Sequence, residues 1–415
     1  MASPSGNQTL TGRFPVPKRI LLISRPAVEG FPPTLNQAAI LVEQGFMVTV
    51  ADESPPSAWR PDELPGTVAR HSLGGGRAAG GPLGRCLSGL WFRWKARRLV
   101  RRLRPDVVVG YGPDACHPLG DLPRRLNALL LWHMHELPED HSGWGFTAMA
   151  NRYVLRHARE PDRLLMPDRG RADEFARRAR IEADRIGLVQ NCPRPVRQLP
   201  LPSLRELLRG QIGEQAKIVL YHGSVGADHG LELAVRSMPQ WPRESVFVMK
   251  GRVRPAFQER VEQLVHSLEI KERVVFLNNG FQSTREHYRA VAGADVGWTV
   301  LEPNNDNWKY GSAACNKRYE CMALGVPQVA DRLAFVPQVI ETGGCGLCIP
   351  HDSVDTAARA VNQLLGDAAL RRRMAERGRQ LHLQQYNYDQ QYQHVVDFIH
   401  TATGAGWESK RAAGE

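Results

Sequence analysis

Short apolar runs alternate with helix-patterned stretches along most of the chain, and they do so in two successive series. Residues 19–24, 46–51, 106–110, 128–133, 163–167 and 186–189 are apolar on both faces, as parallel strands buried between helix layers must be. A helix is predicted over 35–44, opened by Pro32-Pro33-Thr34, with Ala38, Ala39, Leu41 and Val42 inward and Gly45 ending it. Residues 54–84 are rich in Pro and Gly and show no clear period; a basic helix follows from about 85 to 103. Asn191-Cys192-Pro193-Arg194-Pro195 breaks the alternation, and the Pro-rich stretch to Pro202 reads as a linker. Strand patterns then resume at 217–222, 245–250, 273–277, 294–298 and 326–330, with a helix over 231–238. Strands separated by helices imply right-handed crossovers, so the fold class is α/β with two doubly wound domains. The expected organisation is an unstructured lead (1–17), a first domain (18–197), a linker (198–210), a second domain (211–383), a further helix (384–400) and an unstructured tail (401–415).

Length agrees with two domains, since 415 residues exceed one ordinary core. A 42% hydrophobic content with 38 Gly and 29 Pro suits a turn-rich α/β protein, and no apolar run is long enough to span a membrane. Residues 1–16 are rich in Ser, Gly and Thr and lack an apolar centre, so no signal peptide is read there and a cytoplasmic location is expected. The formal charge of +11 is concentrated in 95–104 and 169–185, largely as Arg. No nucleic-acid module accompanies it, so nucleic acid is not an expected partner; anionic donors or anionic lipid surfaces account for it equally well. The segment 90–104 reads first as an amphipathic helix burying Leu90, Trp94, Leu99 and Leu103. Its mixture of Trp and cations also suits peripheral contact with an anionic membrane. Seven scattered cysteines, with Cys345 and Cys348 as a lone CxxC, read as reduced structural thiols; no metal site is expected.

Most of the candidate chemistry lies in 312–327. Lys317 and Glu320 stand three residues apart at what reads as a helix opening, on one face and near free backbone N–H groups. A Lys there can meet a diphosphate, and a Glu can accept two hydrogen bonds from a ribose diol. The ordinary alternative for this spacing is a surface ion pair. Asn316 either orients the preceding loop or caps the helix. After the strand at 217–222, Gly223 and Ser224 would bring backbone N–H groups close to a phosphate, because Gly has no Cβ to block it.

Together these features resemble the GT-B glycosyltransferases, specifically the family-4-like group of retaining enzymes, over about 18–399. The segment 315–327 is similar to the P-N-K-x-F-E-Y-M-A-x-G-x-P form of that family's donor motif. His135-Glu136-Leu137 resembles its D-x-H-E segment, and Asn191-Cys192-Pro193 the N-x-P that closes the first domain. Tyr221-His222-Gly223-Ser224-Val225 with His229-Gly230 resembles the glycine loop and K-G turn that begin the second. Gly343-Gly344-Cys345-Gly346 resembles a later G-x-G.

The resemblance implies two Rossmann-like domains facing a central cleft, with the C-terminal helix crossing back to the first. It implies sugar transfer from a nucleoside-diphosphate sugar to an acceptor hydroxyl of a small metabolite or glycan, with retained configuration and no cofactor or metal. Lys317, Glu320 and His135 are the expected catalytic residues. Gly223, Ser224, Arg252 and Asn316, with Lys317 and Glu320, would hold the donor; Lys250 is an alternative to Arg252. Gly30, Phe31, His135, Glu136 and Ser312 would face the sugar and acceptor. Asp306, Trp308, Lys309 and Tyr310 read as a polar, aromatic loop ahead of the donor helix. Two departures are plain: Ser312 stands where many relatives carry a first Glu, and His229 stands at the K-G lysine. A same-fold epimerase and a catalytically silent partner subunit are the rival readings.

Overall fold

Long runs of β-branched and other apolar residues close into two fully parallel sheets, which is where such runs bury both of their faces. The computed structural model describes residues 18–28, 32–54, 64–74, 82–139, 145–278 and 283–404. The first sheet contains β1 (Arg19–Ser24), β2 (Met47–Asp52), β3 (Ala69–Ser72), β4 (Val107–Tyr111), β5 (Leu129–His133), β6 (Arg163–Met166) and β7 (Ile186–Leu188), ordered β3-β2-β1-β4-β5-β6-β7. The second contains β8 (Lys217–His222), β9 (Ser245–Lys250), β10 (Val274–Leu277), β11 (Val296–Thr299), β12 (Gln328–Asp331) and β13 (Gly346–Ile349), ordered β10-β9-β8-β11-β12-β13. Each sheet reverses its order beside the central strand that comes first in its sequence, at β1/β4 and at β8/β11. The carboxyl ends of strands at such switch points are where open α/β sheets receive ligands.

The apolar pattern does not predict β3 or β13. Both are edge strands of four residues, one mostly polar and one a short run opening on Gly346. The helix Tyr388–Ala402 puts Tyr388, Tyr392, Val395, Val396 and Ile399 into one core with Ile20, Leu22 and Leu41, so the chain does return to the first domain. That helix runs past the expected tail boundary, and Thr403 beyond it is buried. Residues 203–208, expected as linker, join the second core: Leu204 and Leu208 pack with Ile218, Leu220 and Val246. The expected unstructured lead, and the tail from 405, lie outside the described residues.

Helix phase also differs from expectation in Pro82–Leu103. Phe92, Ala96, Leu99 and Val100 form its buried stripe, whereas Leu90 and Trp94 are 61% and 49% exposed. Among the described residues no helix is long and apolar enough to cross a membrane. All seven cysteines are free and six are buried. Burial pushes the thiols of Cys345 and Cys348 up to about 12, as befits packing residues.

The helix Asn316–Leu324 is tied to the sheet by a residue that the motif reading passes over. Arg318 and Asp331 are fully buried and form an ion pair. Arg318 also donates to the Thr299 carbonyl at 3.1 Å, and Asp331 accepts from the Leu301 amide at 2.9 Å. Truncating one member strands a buried charge, which costs about 3–5 kcal/mol. Arg318→Met should therefore lower stability by about that amount in chemical denaturation. A loss below about 1 kcal/mol would show that this pair does not anchor the helix.

Candidate functional site

The carboxyl ends of β8 and β9 deliver His222 and Lys250 side by side, in direct parallel register. Above them, the first two turns of Asn316–Leu324 carry Lys317 and Glu320. Glu320 does not form the simple surface pair with Lys317 that its spacing allows. Its Oε2 accepts instead from His222 Nε2 at 2.8 Å and from His287 Nε2 at 3.2 Å, the latter on the helix Thr284–Val291. Burial alone would raise the Glu320 carboxyl, but His287 and His222 outweigh it and hold the group ionised well below the usual range. Burial holds His222 down to about 4 even against the pull of Glu320. Burial likewise lowers Lys250, with Glu320 opposing the shift.

Lys317 reaches across the glycine loop. Its Nζ lies 5.2 Å from the centre of the Tyr221 ring. A Cβ on Gly223 would come within 2.6 Å of Lys317 Cε and 2.9 Å of Nζ. Gly223 has φ +118°, and Gly251, at φ +146°, approaches so closely that its Cβ would sit 1.8 Å from the Gly223 carbonyl oxygen. The expectation that the Gly223 amide meets a phosphate is corrected: it donates to the Lys250 carbonyl at 2.9 Å. The glycine's role is space for Lys317.

Between the domains lies a cavity of about 370 Å³, whose lining includes Pro33, Asn36, Asn191, His287, Asn316 and Glu320. Asn316 is the first helical residue, while Cys315 occupies the cap position without a side-chain bond, so Asn316 is not the cap. Arg252 and Ser224 are exposed. Arg254 is the cation beside the glycine turn, its Cδ 3.6 Å from where a Gly226 Cβ would stand. Gly30 and Phe31 lie outside the described residues, as does the side chain of Ser312.

On the first domain, His135 follows β5 and stacks on Tyr111, ring centres 5.6 Å apart, with the His133 ring 4.4 Å from His135 and 5.7 Å from Tyr111. His133 Nδ1 accepts from Gln37, which also bonds Tyr111 and Tyr388, so this wall of the cleft is fixed by the returning helix. Burial, with the Arg171 charge, holds His135 down to about 3. Glu136 is exposed.

The stretch expected as a loop at 306–310 is instead the helix Asp306–Gly311, docked against the first-domain helix Arg169–Ala179. Buried Arg171 donates to the carbonyls of His135 and Asn307, and Asn307 Oδ1 accepts from the Leu137 amide at 2.7 Å. Arg178 pairs with Asp306. Trp308 lies under Arg171 and 6.0 Å from His229, whose ring is 5.5 Å from Tyr221.

Sequence reasoning gave no role to His287, Arg254 or Arg171. Each acquires its neighbours through contacts distant in sequence, so no local spacing marks it. His222 could have been found from its place at a strand's carboxyl end, as Lys250 was.

The family profile for glycosyl transferases group 1 matches residues 206–381, and that for glycosyltransferase family 4 matches 34–193. The alpha-D-kanosaminyltransferase of Streptomyces kanamyceticus is 30% identical over 243 residues, 57% of this chain and 59% of the relative. The N-acetyl-alpha-D-glucosaminyl L-malate synthase of Bacillus anthracis is 34% identical over 125 residues, 30% of this chain and 29% of the relative. The chain therefore matches less than two thirds of the length of either. Anabaena HepE, solved with UDP and glucose, superposes with a TM-score of 0.71, covering 92% of this chain and all of that one. At 14% identity this last likeness bears on fold alone.

Acid should act on imidazoles that the fold desolvates in both domains. His135, His229 and His382 are held down to about 3, 3 and 4 in the fold, against an ordinary 6.5. The unfolded chain thus takes up protons that the native state refuses. The associated stability is complete above about pH 6.5 and drains away as pH falls toward 4. The melting temperature should decline steadily from pH 6.5 to 4.5, less steeply in His229→Gln; a flat profile over that range would contradict the assignment.

Proposed function

We propose that this chain, which belongs to the family-4-like GT-B glycosyltransferases, moves a sugar from a nucleoside-diphosphate donor to an acceptor hydroxyl. One observation carries the reading. Lys317 and Glu320 stand on successive turns at the start of the same helix, at the β8/β11 switch point, with Lys317 over a cleared glycine loop and Glu320 lining the inter-domain cavity. HepE, a protein of the same fold solved with UDP and glucose, supports a nucleotide sugar as donor.

In this reading Lys317 and the helix N-terminus neutralise the departing diphosphate, and the charge they stabilise develops as the sugar's C1–O bond breaks. Glu320 accepts from the ribose hydroxyls through Oε1, because both imidazoles already occupy Oε2. His135 is neutral at physiological pH and offers hydrogen bonds to the sugar from the opposite wall, not a proton. No side chain is needed as general base: the leaving phosphate oxygen takes the acceptor proton on the donor's own face, so configuration is retained and no metal is required. The acceptor is a small metabolite or a glycan. The N-acetyl-alpha-D-glucosaminyl L-malate synthase relative, whose name gives L-malate as the sugar's acceptor, favours the former.

The helix Pro82–Leu103 adds a surface. Leu87, Leu90, Trp91 and Trp94 are exposed, and Trp91 stacks on Trp94 with centres 5.0 Å apart. Lys95 and Arg98 lie over those rings. Such a stripe fits peripheral seating on an anionic lipid surface. Trp91→Ser with Trp94→Ser should cut cosedimentation with phosphatidylglycerol vesicles at least about tenfold. Equal sedimentation of variant and parent would remove this part of the proposal.

The donor assignment is tested by Glu320→Ala in an assay with matched donor and acceptor. Loss of hydrogen bonds to a charged acceptor predicts a fall of roughly 10- to 100-fold in kcat/KM, with the donor KM raised, in a chain that stays folded at a melting temperature lowered by loss of the His222 and His287 bonds. Wild-type turnover in that variant would refute the role of Glu320. Parallel incubation with donor alone separates transfer from epimerisation, a rival that the several cleft imidazoles keep in view: only an epimerase alters the donor without an acceptor.

A further inference from the structure

The two imidazoles on Glu320 are more than the donor reading requires. His222 Nε2, His287 Nε2 and a Glu320 carboxylate oxygen lie within 4.8 Å of one another, converging from three separate elements: the end of β8, the helix Thr284–Val291 and the helix Asn316–Leu324. The group sits at a depth suited to ion binding, with side-chain exposures of 2%, 12% and 16% for His222, His287 and Glu320. Two of its members, His287 and Glu320, also line the 370 Å³ cavity, which gives an entry path and room for a further ligand.

We propose that His222, His287 and Glu320 form a binding site for a borderline transition-metal ion such as Zn²⁺, opening onto the inter-domain cavity. Two nitrogens and one carboxylate oxygen with a position left open are a donor set that Zn²⁺ and Co²⁺ accept. Ligand bonds near 2.0–2.2 Å place neighbouring donors of a tetrahedral ion roughly 3.3 Å apart. The observed contacts of 2.8 Å and 3.2 Å need side-chain adjustment only. Binding displaces the Nε2 proton of each imidazole to Nδ1 or to solvent and replaces two hydrogen bonds with two metal–nitrogen bonds. The affinity is moderate for two reasons. His222 Nδ1 is buried without a hydrogen-bond partner among the described residues, so the outer contact that strengthens tight sites is missing. Lys250 and Lys317, both close enough to feel the Glu320 charge, oppose a cation.

A consequence follows that rests on the donor reading above. An ion on Glu320 withdraws charge from the carboxylate whose Oε1 a ribose would use, so metal and nucleoside weaken each other's binding. The site would make the metal an inhibitor of donor binding, not a participant in transfer.

The test is a titration of the full-length chain with Co²⁺, followed by visible absorption, and with Zn²⁺ by calorimetry. One equivalent should bind, with the d–d bands of four- or five-coordinate Co²⁺ and without the intense thiolate charge-transfer band that cysteine ligation gives. His287→Ala should weaken binding at least about tenfold while its melting temperature shows a folded chain, and Cys345→Ser with Cys348→Ser should leave it unchanged. His222→Gln serves as a second variant, expected to give the same loss. Absence of binding, a thiolate band, or wild-type affinity in both His variants would overturn the site. Uridine, guanosine and adenosine, which lack the phosphates that would themselves chelate metal, are then added as competitors. A nucleoside that displaces the ion supports the shared carboxylate. A Co²⁺ site that no nucleoside disturbs keeps the metal site and refutes the sharing of Glu320 with ribose.

Discussion

Two missing side chains set the geometry at the donor end of the cleft. At Gly223 a Cβ would strike Lys317, and at Gly251 it would strike the Gly223 backbone, so the turns after β8 and β9 can stack and still leave a channel for one ammonium. Both glycines have positive φ, which other residues reach only with strain. The Lys317 charge therefore rests over a bare backbone and the Tyr221 ring, where it has few competing partners, and an incoming anion would meet it directly. Glu320 sits one turn further along the same helix, turned away from Lys317 by its two imidazoles. Separating the cation from the carboxylate in this way leaves each free for a different part of one ligand.

The opposite wall holds its place through a small number of buried polar bonds. Asp168 caps its helix through the Arg171 amide, and the Arg171 side chain then spans to the Asn307 carbonyl of the second domain. Gly170 packs so tightly on the Tyr310 carbonyl that a Cβ there would lie 1.9 Å from it, and Gly311 leaves the room that Arg171 fills. The His135 carbonyl belongs to this same cluster, so the residue expected to face the sugar is positioned by the contact that joins the domains. Cleft width and His135 placement are thus coupled through one guanidinium.

Much of this was legible in the sequence where the signal is local. Continuous apolar runs announce buried parallel strands, and the three-residue spacing of Lys317 and Glu320 places both on one helical face whatever lies around them. The edge strands β3 and β13 escaped because one is mostly polar and the other is a four-residue run opening on Gly346, too short to stand out as a buried strand. The helix Pro82–Leu103 carries two apolar stripes, and only packing against its own sheet decides that Phe92 and Ala96 turn inward while Leu90 and Trp94 face out. Arg171 read as one charge among many in a basic segment, yet it is 136 positions from its Asn307 partner. His287 and Glu320, 33 apart, likewise meet only through the fold.

The account stands most directly on nucleotide recognition by the second domain. Calorimetric titration of the chain with UDP, GDP and TDP measures it without knowledge of the sugar or the acceptor. At least one of these should bind with a one-to-one stoichiometry below millimolar concentration, releasing heat that Lys317→Ala greatly reduces. If none binds at millimolar concentration, the cleft is not a nucleotide-sugar site and the proposed transfer falls with it.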